Sequence, residues 1–168
     1  GRIFADKGEF RVPSIGNISF ENPLLLGPMA GVTDSAFRTI CRQEGAAGSY
    51  TEMVSAKALL YQDKKSRQLL FISPEEHPCG VQIFGSEPEV CAQAAQLALE
   101  ISGADFVDIN MGCPMPKITG NGEGSALMRN IPQAEKLIRA VRQAVQVPLT
   151  VKFRKGYEAD EDTCVEFG

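Results

Sequence analysis

The stretch FVDINMGCPMPKI, residues 106–118, puts a thiol where a strand ends. Phe106-Val107-Asp108-Ile109-Asn110 reads as a strand, and Gly112 and Pro114 on either side of Cys113 exclude a helix interior. A cysteine so placed sits on a loop rather than in a core. It can be a nucleophile, an acid or a bystander, and spacing alone leaves the three open. Other polar groups stand at comparable places. Gln82 lies inside the apolar run Val81-Gln82-Ile83-Phe84, and Asn110 ends its own strand. Lys152 and Arg154 are two residues apart and so share one face of theirs. The turn Pro28-Met29-Ala30-Gly31-Val32-Thr33 follows the first apolar run, and Glu52-Met53 follows the second. A single polar side chain in an apolar strand is accounted for by bonds to neighbouring backbone. Several at the same end of successive strands are accounted for more simply by a ligand with polar edges.

The elements that must carry these groups repeat as apolar strand, loop, amphipathic helix. Residues 24–29 form a buried-strand run bounded by Pro23. Thr33 or Asp34 caps a helix whose Ala36, Phe37, Ile40 and Cys41 share a face, and Gly45 ends it. Residues 48–53 are a second strand, with a polar helix near 63–72. Residues 81–84 are the third strand, and Ser86-Glu87-Pro88-Glu89 fits a capping box opening a helix to about residue 101 with Val90, Ala94, Leu97 and Ile101 on its stripe. Residues 106–110 form the fourth strand, followed by a long mobile loop. A helix from Pro132 carries Leu137, Ile138, Val141 and Val145, and residues 149–153 form the fifth strand. Five strands alternating with helices imply a parallel sheet. Either an open doubly wound sheet or part of a (β/α)8 barrel fits. A barrel needs ~250 residues, so this chain would hold about five-eighths of one. In both, ligands sit at the carboxyl ends of the strands.

Composition narrows the function. The 168 residues are 43% hydrophobic and 23% charged, with a net charge of −4. A protein holding nucleic acid by charge alone is usually basic, so such a role here needs a local site or further parts. Five cysteines form no CxxC pair and there is a single histidine, His77, so no metal site is expected and the thiols read as reduced and cytosolic. No apolar run approaches the ~20 residues of a membrane helix, and the leading GRIFADKGEF lacks the apolar core of a signal peptide. GNGEG at 120–124 fails as a dinucleotide fingerprint, because Ser125 takes the place of the last glycine and no strand leads directly into it. His77 reads as a solvated turn residue, and Lys64-Lys65-Ser66-Arg67 as a solvated helix face.

The chain resembles the tRNA-dihydrouridine synthases. The matching residues are Gly27-Pro28-Met29-Ala30-Gly31-Val32-Thr33-Asp34 with Phe37-Arg38, Thr51-Glu52-Met53, Val81-Gln82-Ile83-Phe84-Gly85, Asp108-Ile109-Asn110-Met111-Gly112-Cys113-Pro114 with Lys117, Gly124-Ser125-Ala126-Leu127, and Thr150-Val151-Lys152-Phe153-Arg154-Lys155-Gly156. The resemblance implies an α/β fold, a (β/α)8 TIM barrel truncated to about its first five β/α units, with the later strands and a helical tRNA-binding domain absent. It implies reduction of uridine to 5,6-dihydrouridine in tRNA, with FMN as cofactor and NADPH as reductant. By the same resemblance Cys113 is the acid that protonates C5. Backbone at Pro28, Met29 and Ala30, with the side chains of Gln82 and Lys152, would hold FMN, and Asn110 and Arg154 are candidates for contacting uracil. Met115-Pro116 makes the loop after Cys113 unusually proline-rich.

Two rival readings remain at this level. One is another FMN-barrel reductase, dihydroorotate-dehydrogenase-like, acting on a free pyrimidine; it shares the barrel and a lysine near the flavin. The other is a catalytically incomplete fragment with open strand edges.

Overall fold

A computed structural model of the chain describes residues 12–168; the leading GRIFADKGEF lies outside them. Two short strands, β1 (Ser14–Ile15) and β2 (Ile18–Ser19), pair as an antiparallel hairpin. Then follow β3 (Leu25–Leu26), α1 (Ser35–Gln43), β4 (Gly48–Tyr50), β5 (Val54–Ser55), α2 (Ala56–Leu60), α3 (Lys64–Leu69), β6 (Cys79–Phe84), α4 (Pro88–Ser102), β7 (Phe106–Met111), α5 (Pro116–Thr119), α6 (Ile131–Ala144), β8 (Leu149–Phe153) and α7 (Cys164–Phe167). Short 3-10 turns occupy Pro74–Glu76 and Gly124–Arg129.

The sheet runs β3-β4-β6-β7-β8, all parallel, with β5 also paired to β6. Spatial order equals chain order, without the reversal that a doubly wound sheet requires. Crossovers of one hand that step always in one direction lay their helices on the same face, and α2, α4 and α6 pack side by side along it. The architecture is therefore a singly wound α/β half-barrel.

Two residue parities divide the sheet. Val81, Ile83, Val107, Ile109 and Met111 are buried toward the helices, in one core with Ala94, Ala95 and Ala98 of α4 and Leu137 and Val141 of α6. The opposite parity carries Phe106, Asp108 and Asn110. At the amino ends of the strands Phe20, Ala47 and Phe106 form a second cluster with Ile15, Ile18 and Tyr50, so the hairpin covers that end. The rings of Tyr50 and Phe106 meet edge to face, 5.2 Å between centroids.

Several local expectations give way to tertiary contacts. The second strand is broken: Tyr50 pairs with Gly80 and Val54 with Ile83, so residues 51–53 hold one residue more than β6 does opposite them, a bulge at the strand mouth. The polar helix expected near 63–72 is α3, and an unexpected short helix, α2, precedes it, the two joined through Gln62 at positive φ. Glu87, not Ser86, caps α4, with no side-chain capping bond, and the buried side of that helix is Cys91, Ala94, Ala95 and Ala98, while Ile101 is exposed. On α1 the Asp34 cap holds, but Phe37 and Ile40 are exposed. The buried residue is Arg38, because Glu76 supplies a partner for its charge. His77 is not simply solvated; its Nδ1 lies 2.7 Å from Asp105 Oδ2. The loop after β7 is ordered by α5 and the 124–129 turn rather than left without structure.

Candidate active site

Register brings the polar strand residues together. Gln82 pairs with Asp108 and Asp108 with Thr150; one layer further toward the carboxyl ends, Asn110 pairs with Lys152. All five share the parity that faces away from the helices. Gln82 and Asp108 are buried, and the bonds between these residues are short and specific. Gln82 Nε2 donates to Asp108 Oδ2 at 2.6 Å, the Thr150 hydroxyl donates to Asp108 Oδ1 at 2.6 Å, and Asn110 Nδ2 donates to Gln82 Oε1 at 3.1 Å. Burial pushes the Asp108 carboxyl above the usual carboxylate range, opposed by the bonds from Gln82 and Thr150 and by the charge of Lys152. Burial, with the nearby Asp108 carboxylate, also pushes the Tyr50 hydroxyl up to about 12.

Asn110 turns its remaining oxygen to the loop. Its Oδ1 accepts from the backbone N–H of Gly112 at 3.1 Å and of Cys113 at 2.9 Å, an Asx turn that bends the chain out of β7. The carbonyl side is tied separately: Ser125 N–H donates to the Cys113 carbonyl at 3.0 Å, and Arg154 Nη1 to the Gly112 carbonyl at 3.1 Å. Cys113 is half-buried at this rim.

On the neighbouring strands the turn after β3 is fixed by its own bonds. Val32 and Thr33 N–H both donate to the Met29 carbonyl at 3.0 Å, and Met29 N–H donates to the Thr33 hydroxyl at 3.0 Å. Glu52, in the bulge, accepts from Gly31 N–H and so ties the first strand mouth to the second. Met29 and Ala30 stay exposed. Behind this turn Arg38 pairs with Glu76 and donates to the carbonyls of Thr33 and Phe71, each at 2.7 Å.

Gln82, Asn110 and Cys113 thus form one bonded cluster; Lys152 and Arg154 join it from β8 and its exit, and Pro28, Met29 and Ala30 sit at the carboxyl end of β3. Asp108 and Thr150 complete it, and Glu52 ties the neighbouring strand mouths together, none of the three having been given a role from sequence. Asp108 had an available signal, since it lies two residues before Asn110 and shares its face.

Comparison with known proteins then decides the family. A family model described as dihydrouridine synthase matches residues 25–168. The chain belongs to the dihydrouridine synthase family. It is 45% identical over 152 residues to the tRNA-dihydrouridine synthase B of Shewanella oneidensis, covering 90% of this chain and 47% of that protein. It is 44% identical over 149 residues to the protein of the same name from Pseudomonas aeruginosa, covering 89% and 45% respectively. The chain spans about half the length of the curated relatives it matches. The dihydrouridine synthase match includes every cluster residue named above. Among the described residues no helix is long and apolar enough to cross a membrane.

Proposed function

We propose that this chain is the amino-terminal part of a (β/α)8 catalytic barrel that reduces uridine to 5,6-dihydrouridine in tRNA in the cytoplasm, using FMN and NADPH. The observation that carries this reading is the convergence of Cys113, Asn110, Gln82 and Lys152 on the carboxyl ends of consecutive parallel strands, in a chain of the dihydrouridine synthase family.

The residues present fit a flavin. Lys152 is exposed and makes no ion pair among the described residues, so its ammonium is available to an anionic ring. Gln82 spends one amide hydrogen on Asp108 and keeps the other. The Pro28-Met29-Ala30 turn lies at the same end of the sheet, with Met29 and Ala30 exposed. When bound, FMN would supply the hydride that C6 of uracil receives. Cys113 would give its thiol proton to C5, within reach of a base extruded from folded tRNA. Asn110 keeps one Nδ2 hydrogen and Arg154 its remaining guanidinium donors for the uracil carbonyl oxygens.

Single-turnover kinetics on the intact protein test this in two halves, reduction by NADPH and then reoxidation by unmodified tRNA. Cys113→Ala should be reduced normally and reoxidise on tRNA roughly 10²–10⁴-fold more slowly, the worth of a positioned general acid. Cys113→Ser should recover little, since a hydroxyl is a far weaker acid. Reoxidation of Cys113→Ala at the wild-type rate sinks the proton-donor role, and reoxidation of the wild type by free orotate or uracil rather than tRNA sinks the substrate.

A further inference from the structure

We propose that Asp108 is a positioning residue whose buried carboxylate, acting through Gln82 and Asn110, holds the backbone N–H groups of the Cys113 loop in place. The loop's chemical meaning rests on the function proposed above; the positioning itself does not.

The argument is one of hydrogen-bond direction. An ionised carboxylate only accepts, and backbone N–H groups only donate. Between these two ends stand two side-chain amides, each able to face either way. The Thr150 hydroxyl takes one oxygen of Asp108 and Gln82 Nε2 takes the other. With its nitrogen so committed, Gln82 presents Oε1, and Asn110 must offer Nδ2 to it. That leaves Asn110 Oδ1 for Gly112 and Cys113, whose N–H groups donate to it at 3.1 and 2.9 Å. Every bond donates toward Asp108. Reversing either amide would set N–H against N–H at one end or oxygen against oxygen at the other.

The carboxylate is an expensive way to fill this layer. Asp108 is 1% exposed and has no ion-pair partner among the described residues, so its charge is held by two hydrogen bonds and, without direct contact, by the charge of Lys152. The loop's other ties, from Ser125 and Arg154, hold carbonyl groups. Among the described residues only the chain that starts at Asp108 reaches the N–H side.

The test is amide hydrogen exchange on the intact protein. Asp108→Asn keeps the shape but can donate, so it no longer dictates the orientation of Gln82. Exchange at Gly112 and Cys113 should accelerate about tenfold, the loss of one charge-assisted bond, with the amides of β6 and β7 unchanged. In an Asn110→Ala background the chain is already cut, so adding Asp108→Asn should accelerate those two amides no further. A merely structural role predicts that the effects add, or that all strand amides accelerate together; either result overturns the proposal, as does wild-type exchange in folded Asp108→Asn. If Asp108→Asn does not fold, Gln82→Met cuts the chain one link later and carries the same expectation. Faster exchange leaves the positioning standing whatever the rate of reoxidation by tRNA, and the Cys113→Ala kinetics alone decide the role of the thiol, so the two readings fail separately.

Discussion

Gly124 packs directly on Cys113: a Cβ at Gly124 would lie 2.6 Å from the Cys113 carbonyl oxygen and 3.3 Å from its Cβ. The contact explains why the Gly124-Ser125 pair follows the cysteine loop. Glycine lets the chain pass at φ +59° and brings Ser125 N–H onto the same carbonyl. Gly124→Ala should therefore displace Cys113 as well as strain the backbone, destabilising by at least ~1–2 kcal/mol. Urea melts and peptide-resolved alkylation of Cys113 measure the two effects. A wild-type midpoint together with a wild-type alkylation rate would show that the loop tolerates the methyl group.

Lys152→Ala in the intact protein should weaken FMN retention. An exposed cation opposite Asn110 in the β7–β8 register, with no carboxylate partner among the described residues, is the observation behind this. A hydrogen bond to a charged group is worth ~1.5–3 kcal/mol, so affinity should fall about tenfold or more. Fluorescence titration of the flavin-free protein with FMN reads it directly. Unchanged affinity, with an unchanged rate of reduction by NADPH, would remove Lys152 from the cofactor site.

Breaking the Arg38–Glu76 pair should be costly and removing it whole should be mild. Both side chains are essentially buried, and Glu76 also accepts from Ser35 and from Ser73 N–H. Glu76→Ala strands the guanidinium, at ~3–5 kcal/mol. Arg38→Met with Glu76→Leu leaves no buried charge and should cost less than Glu76→Ala alone. Denaturant midpoints compare them, and a double variant less stable than the single one would contradict this account.

Stability should fall in alkaline solution before the arginines or lysines matter. Burial pushes the Cys91 thiol up to about 12 and the Cys79 thiol up to about 11. In the unfolded chain both ionise near ~8.5. Their contribution is whole below that value and is lost as pH rises toward the folded values, because the unfolded state sheds its protons first. The decline should approach ~1.4 kcal/mol per pH unit for each thiol. Cys91→Ala should be less stable at pH 8 through its cavity yet show a shallower decline between pH 9 and 11. A slope equal to the wild type would mean that Cys91 titrates alike in both states.

Much of the site was legible in the chain itself. Gly112 and Pro114 forced Cys113 onto a loop by their backbone limits, and period two put Lys152 and Arg154 on one face, because both effects act within a few residues. The alternation of strand and helix announced a parallel sheet for the same reason. What local pattern could not carry was anything settled across strands. The absence of a reversal in strand order, which separates a half-barrel from a doubly wound sheet, is a property of crossovers. The burial of Arg38 depends on a glutamate 38 positions away, and the exposure of Phe37 and Ile40 on α1 follows from the same exchange of faces. The line from Asp108 through Gln82 and Asn110 to Cys113 exists only because β6 and β7 pair in one register. A slip of one residue would turn Gln82 into the helix-packed core and leave the thiol loop unheld; the alternation of apolar and polar residues resists that slip, but which strands lie side by side is decided only by the tertiary pairing.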